Sequence, residues 1–327
     1  MPLTPPRVSV IIPTYNGDRY LPQAIASVFT QTYEHYEVIV VDDGSTDTTP
    51  HLLQGMQQQY GDRLQVVQQA NQGVAVARNR GVELARGTLI AFLDADDFYL
   101  PTKLAAQVAV FDRNPHLGLV HSGWRRVNAE GASLKDVQLW QTLPTLDLET
   151  WLRWKPVLPS AMMIRRDWLQ QCGGFDARFP PAEDTELVLR LALMGCQAEW
   201  LRQVTVCYRQ HEASAMHRGL PQARSLAAVI DHFFAQPHLP EPIRWLEQQV
   251  RYSTLVWIAW YLYHTGHLTE MADYLQRSLH HTPYSSVATV VHWADSFTAF
   301  SQDWDQSFDA HKLGRSPIWQ ELMRSIN

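Results

Sequence analysis

Along the first 115 residues the chain repeats one pattern: a short apolar run, a knot of polar and turn-forming residues, then an amphipathic stretch. The apolar runs are Val8–Ile12 (VSVII), Glu37–Val41 (EVIVV), Leu64–Gln68 (LQVVQ) and Leu89–Leu93 (LIAFL). A short continuous apolar run bounded by polar punctuation is what a strand covered on both faces needs. Between these runs, Tyr20–Thr30, the stretch from Asp47 to about Tyr60, and Val74–Ala85 read as helices, with Thr46 or Asp47 capping the second. A further helix is expected over Thr102–Asn114. Strands and helices alternating at this spacing predict an α/β fold with a doubly wound, mostly parallel sheet.

After residue 115 the rhythm changes. Leu117–Val127 reads as a strand, Asn128–Gly131 as a turn and Ala132–Leu139 as a returning strand, which predicts an antiparallel hairpin. Asp147–Trp154 is expected as a short helix, and Ser160–Arg165 and Val204–Tyr208 as strands. Glu183 and Asp184 open a helix that presents Leu187, Leu191 and Met194 on one face. From Pro221 onward only helical patterns remain, over Gln222–Ala235, Glu241–Thr265, His267–His281 and Tyr284–Phe300, so a domain boundary is expected near Gly219–Pro221. Gly266 and Pro283 bracket one segment spaced like a tetratricopeptide repeat, but a repeat fold needs several copies, and a helical appendage is what the pattern supports. Its tryptophans, Trp245, Trp257, Trp260, Trp293, Trp304 and Trp319, read as core and helix-packing residues.

The polar residues of the first half fall in a telling place. Pro13, Thr14 and Tyr15, then Asp42 and Asp43, then Asn71, then Asp94 to Asp97 all lie just past the carboxyl ends of their strands, where open α/β sheets bind ligands. No G-x-G-x-x-G follows the first strand and no P-loop motif occurs, so a dinucleotide or P-loop site lacks its fingerprint. Asp94, Asp96 and Asp97 repel one another, and a hard divalent cation would neutralise them. Taken alone, the same cluster reads first as an acidic turn capping the helix that follows.

Composition narrows the partners. The chain has 327 residues, 46% apolar and 18% charged, with a net charge of -6 and no basic block, which argues against nucleic acid. Three cysteines, Cys172, Cys196 and Cys207, without C-x-x-C spacing, lead to an expectation of reduced thiols in the cytoplasm. The longest apolar run, Leu255–Tyr263, falls short of the ~20 residues a spanning helix needs. Docking at the inner face of a membrane is compatible with that.

Five segments in order, VSVIIPTYNG, VIVVDDGSTD, NQGVAVARNRG, LIAFLDADD and PPAEDTELVLRLALMG, resemble the family 2 glycosyltransferases of GT-A fold. The resemblance covers about Arg7 to His211. It implies a nucleotide-binding half over about residues 7–114, an acceptor-binding half over about 115–219, and a helical domain of unknown role over 220–327. A nucleotide diphosphate sugar, expected to be UDP-linked, would meet Pro13, Thr14, Tyr15, Asp43, Asn71, Arg78 and Asp94. Asp96 would ligate Mg2+ or Mn2+, with Asp94 lying nearer the ribose or on the metal and His211 completing the site. Gly173, Gly174 and Glu183 would line the donor sugar or the acceptor. Asp184 would be the base for a carbohydrate or lipid-linked hydroxyl, in one inverting displacement that releases the diphosphate. Arg78 outside this motif would read as a solvated helix face. No Q-x-x-R-W follows Asp184, which counts against a processive polysaccharide synthase. Two other classes stay open: a noncatalytic sugar-nucleotide binder with a partner-recruiting helical part, and a nucleotidyltransferase, which would release pyrophosphate.

Overall fold

A computed structural model describes residues 6–212, 214 and 219–326. The chain forms two compact units, Met1–Glu212 and Ala213–Asn327.

The first unit is built on one nine-stranded sheet of order β3-β2-β1-β4-β8-β6-β9-β5, with β7 paired to β6. β1 (Val8–Thr14), β2 (Tyr36–Asp42), β3 (Leu64–Gln68) and β4 (Leu89–Phe92) are the four apolar runs, and they pair in parallel. β1 lies between β2 and β4, with Val10 opposite Val38 on one side and Ala91 on the other. Both edges of β1 are therefore paired and all seven of its residues are buried. The helix α1 (Leu21–Phe29) buries Leu21, Ala24, Ile25 and Val28, an i, i+3, i+4, i+7 stripe. Each such aliphatic side chain contributes about 1.5–3 kcal/mol when removed from water. Two further helices, α2 (Thr49–Tyr60) and α3 (Val74–Leu84), make the crossovers. In α3, a β-carbon on Gly81 would stand 2.4 Å from Ile11 Cγ2. The missing side chain lets α3 lie close on β1, and this sets where Arg78, one turn earlier, enters the site.

β5 (Phe98–Tyr99) and α4 (Lys103–Arg113) follow. β6 (Leu117–Val127) and β7 (Ser133–Val137) form the expected hairpin, and α5 (Leu148–Trp154) starts at Asp147, whose carboxylate accepts from Thr150 N. β8 (Met162–Arg165) runs antiparallel between β4 and β6. α6 (Arg166–Cys172) and α7 (Glu183–Leu193) lead to β9 (Gln197–Arg209), parallel to β6 and antiparallel to β5.

Several expectations need correction. α2 begins after Thr48, and Asp47 accepts from Thr49 N at 3.0 Å without being the cap residue itself. β9 starts seven residues before Val204, because its polar first half pairs with β6 and so escapes an apolar-run criterion. β5 and α6 are too short to carry a period. Met194 lies beyond the end of α7 and is exposed.

The second unit is helical in its described residues. α8 (Leu220–Phe234) packs on α10 (Glu247–His264), with the short α9 (Glu241–Trp245) before it, so the single helix expected over Glu241–Thr265 is two. α11 (Leu268–Ser278) ends in a 3-10 turn at Leu279–His281, and α12 (Ser286–Asp303), α13 (Ala310–Gly314) and α14 (Pro317–Ile326) complete it. Trp293 and Trp260 are buried, with their indole N–H groups on Ser278 Oγ at 3.1 Å and Ser301 Oγ at 2.9 Å. Trp245, by contrast, is exposed. Among the described residues no helix is long and apolar enough to cross a membrane.

Candidate active site

The parallel strands deliver their polar residues to one edge of the sheet, and short backbone ties hold these loops together. Asp43 N donates to Thr14 O at 2.8 Å, Asn16 N to Ser45 Oγ at 2.8 Å, and Thr46 N to Asn16 Oδ1 at 2.8 Å. The buried Asp43 carboxylate accepts from Gln69 Nε2 (2.8 Å), Gln72 N (2.9 Å) and Gly73 N (2.7 Å). Three of its roughly four lone-pair sites are thus engaged in anchoring the loop after β3, which leaves about one for a ligand. Thr14 Oγ1 is buried with no hydrogen-bond partner, while Tyr15 stands 52% exposed. Asn71 is exposed on the same loop edge.

Arg78 is not on a solvated face. It is 4% exposed and points between two carboxylates, Asp94 Oδ1 at 2.7 Å and Glu183 Oε1 at 2.5 Å, with the Phe175 ring 5.2 Å from its guanidinium carbon. Burial alone would lower this guanidinium; Asp94 first and Glu183 next raise it instead. One planar cation therefore joins the D-x-D turn after β4 to the start of α7.

The three aspartates of that turn meet three different fates. Asp94 pairs with Arg78, and its N–H donates to Ser160 Oγ at 3.0 Å. Asp96 faces His211, with Nε2 2.9 Å from Oδ2. Asp97 is 1% exposed, and burial first, then the charges of Asp96 and Asp94, raise its carboxyl well above the usual range. It accepts Arg209 N at 3.0 Å and does not cap α4, whose start carries no side-chain cap. The repulsion read from sequence is thus relieved by a cation, an imidazole and burial of the third acid.

Arg209, unassigned in the sequence, holds this arrangement. Its Nε donates to Asp96 O (2.8 Å), one terminal nitrogen to Ala129 O (2.7 Å) and the other to Gln23 Oε1 (2.5 Å), while its guanidinium lies 4.5 Å from the Tyr20 ring centre. Its position at the end of a strand and two residues before His211 was the available signal.

Asp184 sits at the first turn of α7, beside Glu183, and accepts Thr185 N at 2.6 Å. Its carboxyl is pushed up to about 7, by burial first and by the Glu183 charge second, with Arg78 pulling it back. Gly174 carries a positive φ of 74°, and a β-carbon there would stand 2.4 Å from Asn79 Oδ1. The space admits Asn79, which donates to Phe175 O and accepts from Phe175 N, both at 2.8 Å. Gly173, with φ 83°, ends α6 and has nothing within 4 Å of its missing side chain.

Among the described residues no three His, Cys, Asp or Glu side chains are arranged to hold an ion by themselves. Of the three expected ligands, Asp96 and His211 come together and Asp94 turns to Arg78.

Residues 9–173 match the model of glycosyl transferase family 2. The chain belongs to that family. An uncharacterized glycosyltransferase of Nostoc sp. is 33% identical over 213 residues, 64% of this chain and 66% of that protein. Another uncharacterized glycosyltransferase, from Rickettsia prowazekii, is 31% identical over 223 residues, 66% of this chain and 68% of its own. One from Rickettsia felis is matched over only 32% of its length, so the chain spans from about a third to just over two thirds of these three relatives. Two solved structures share the fold. Staphylococcus aureus TarS 1-349 in complex with UDP superimposes with a TM-score of 0.64 at 19% identity, covering 93% of each chain. The mannosyltransferase PcManGT from Pyrobaculum calidifontis, in complex with GDP-Man and Mn2+, gives 0.64 at 21% identity over 94% of this chain and 89% of that one. The α/β GT-A architecture is that of this family 2 member.

Proposed function

We propose that this family 2 member transfers one sugar from a nucleotide diphosphate sugar, UDP-linked, to a hydroxyl of a carbohydrate or lipid-linked acceptor with inversion, non-processively and with a divalent metal. The observation that carries this reading is the Asp94–Arg78–Glu183 chain of ion pairs, which fixes the base candidate Asp184 next to the D-x-D turn. The neighbours' complexes with UDP, UDP-GlcNAc and GDP-Man support a nucleotide-sugar donor.

Residues 7–114 would bind the nucleotide, with Pro13, Thr14, Tyr15 and Asn71 along the base, and residues 115–219 would bind the acceptor beside Gly173, Gly174 and Glu183. Thr14 Oγ1, buried and unpartnered, has a hydrogen bond to offer a donor. Asp43 would contribute its remaining lone pair to the base while holding Gln72 and Gly73 in place.

The donor set suits Mg2+ or Mn2+. Asp96 and His211, whose Oδ2 and Nε2 lie 2.9 Å apart, would hold the ion, since a carboxylate and an imidazole suit such a cation. When bound, the ion stabilises charge developing on the departing diphosphate. Arg78 holds Asp94 at the turn, and Arg209 holds the Asp96 backbone, so the turn is shaped before the donor arrives.

Asp184 would accept the acceptor hydroxyl's proton as its oxygen attacks the anomeric carbon. A carboxyl raised to about 7 is a stronger base than an ordinary one and still ionised for half of the molecules at that pH. The test is nucleoside diphosphate release from a panel of nucleotide sugars with manganese. Asp184→Asn is expected to abolish transfer while donor binding survives. Full activity in that variant removes Asp184 from the base role, and pyrophosphate as product refutes glycosyl transfer altogether.

A further inference from the structure

The two oxygens of the Asp43 carboxylate are not equivalent. Oδ1 accepts both Gln69 Nε2 at 2.8 Å and Gln72 N at 2.9 Å, whereas Oδ2 accepts only Gly73 N, at 2.7 Å, among the described residues. A carboxylate oxygen has about two lone pairs, so Oδ1 is full and Oδ2 keeps one. What remains is a single acceptor site on a single oxygen.

Two of the three donors are backbone groups, which every sequence supplies. Gln69 is the one that side-chain chemistry can change. Its backbone is pinned from both sides. Gln69 N donates to Asp42 O at 3.0 Å, and Gly44, at φ 78°, lets the two loops approach so closely that a β-carbon there would stand 3.2 Å from Gln69 O and 2.8 Å from Asn71 N. The side chain that leaves this point turns its nitrogen to the carboxylate, because the amide oxygen would be repelled. One N–H of the amide is spent on Oδ1, which leaves the second for a ligand.

We infer that Gln69 decides which base the site accepts: it closes Asp43 Oδ1 and so selects a base edge with one N–H, that of uracil or thymine, against the two adjacent donors of guanine. The inference rests on the placement of the base at Asp43 under the proposed function. A uracil or thymine ring presents its single N–H between two carbonyls; the N–H suits Oδ2, and a carbonyl suits the second N–H of Gln69. Guanine presents a ring N–H and an amino group side by side, a pair that asks for both oxygens of a carboxylate. With Oδ1 filled, the amino group enters a site where Asp43 is only 3% exposed and finds no acceptor there. Without the Gln69 amide, each oxygen would keep one lone pair, which is the pattern guanine needs.

The test is titration calorimetry of the full chain with UDP, GDP and inosine diphosphate in the presence of manganese. GDP and inosine diphosphate differ only in the guanine amino group, so their ratio is blind to ring size. The parent is expected to bind UDP, and to bind inosine diphosphate about 10-fold tighter than GDP. Gln69→Ala is expected to bring GDP level with inosine diphosphate or ahead of it. Gln68→Ala, at the exposed neighbouring position, is expected to keep the parent's ratio. A loop merely loosened by the substitution would weaken all three ligands together and leave the ratio alone. A parent that binds GDP as tightly as inosine diphosphate, or a ratio unchanged in Gln69→Ala, overturns the inference and leaves the nucleotide site standing. Equal binding of UDP and its N3-methyl analogue, or no binding of UDP, removes the base from Asp43 and overturns the inference together with the reading it rests on.

Discussion

The Asp184 carboxyl, partly buried and beside Glu183, is pushed up to about 7 by desolvation first and the Glu183 charge second. If it serves as the base, kcat/KM for transfer should fall as pH drops through about 7, measured at fixed metal with nucleoside diphosphate release as readout. The same shift has a sign for stability. The folded pKa lies above the unfolded one, so between about 4 and 7 the native state binds more protons and stability declines as pH rises. Asp184→Asn, which abolishes that charge, is therefore expected to melt higher than the parent at pH 8 and to lose this advantage at pH 4, with about 2–4 °C for each kcal/mol in a calorimetric scan. Arg78→Lys makes the opposite point. A lysine keeps the charge but cannot fork between Asp94 and Glu183, so a drop in kcat of at least about 10-fold is expected with near-normal expression. An unchanged rate would show that the planar bridge is dispensable.

At the scale of elements, the glycine after α6 controls how that segment meets α3. Gly174→Ala places a side chain at a positive φ and against Asn79 Oδ1, and is expected to cost about 1–3 kcal/mol in urea unfolding while weakening donor-dependent turnover through the neighbouring Arg78. The elements legible in the sequence are those with a period. Buried parallel strands and amphipathic crossovers announce themselves, and β1 to β4 with their helices follow the apolar runs within a residue or two. β5 and α6 are too short to show a period, and the polar opening of β9 is a strand only because β6 lies beside it. The site divides the same way. The sequence points to Asp96 and His211 as neighbours through motif order, and the structure joins them. It could not reveal that Asp43 is largely occupied, that Arg78 turns inward, or that Asp97 is buried against Arg209, because each depends on what a distant loop brings into reach.

For the molecule as a whole, the first unit carries its own sheet and core. A chain cut after Glu212 is expected to fold cooperatively, as judged by circular dichroism, and to bind a nucleotide sugar in the presence of manganese with an affinity within about 10-fold of the full chain. Failure to fold would mean that the helical unit supplies necessary burial.

The stitching of the D-x-D turn to the end of β9 has a consequence for biosynthesis. Asp97 receives Arg209 N across 112 residues and Asp96 meets His211 across 115, so the turn is made long before its partners exist. At about 5–20 residues per second, a ribosome needs roughly 6–23 s to travel between them. Through that interval the nascent chain holds a sheet edge and two acids, Asp96 and Asp97, without the imidazole and the arginine that settle them. A chain released early lacks the finished turn, so competence for chemistry is granted only once the last strand of the unit has been made.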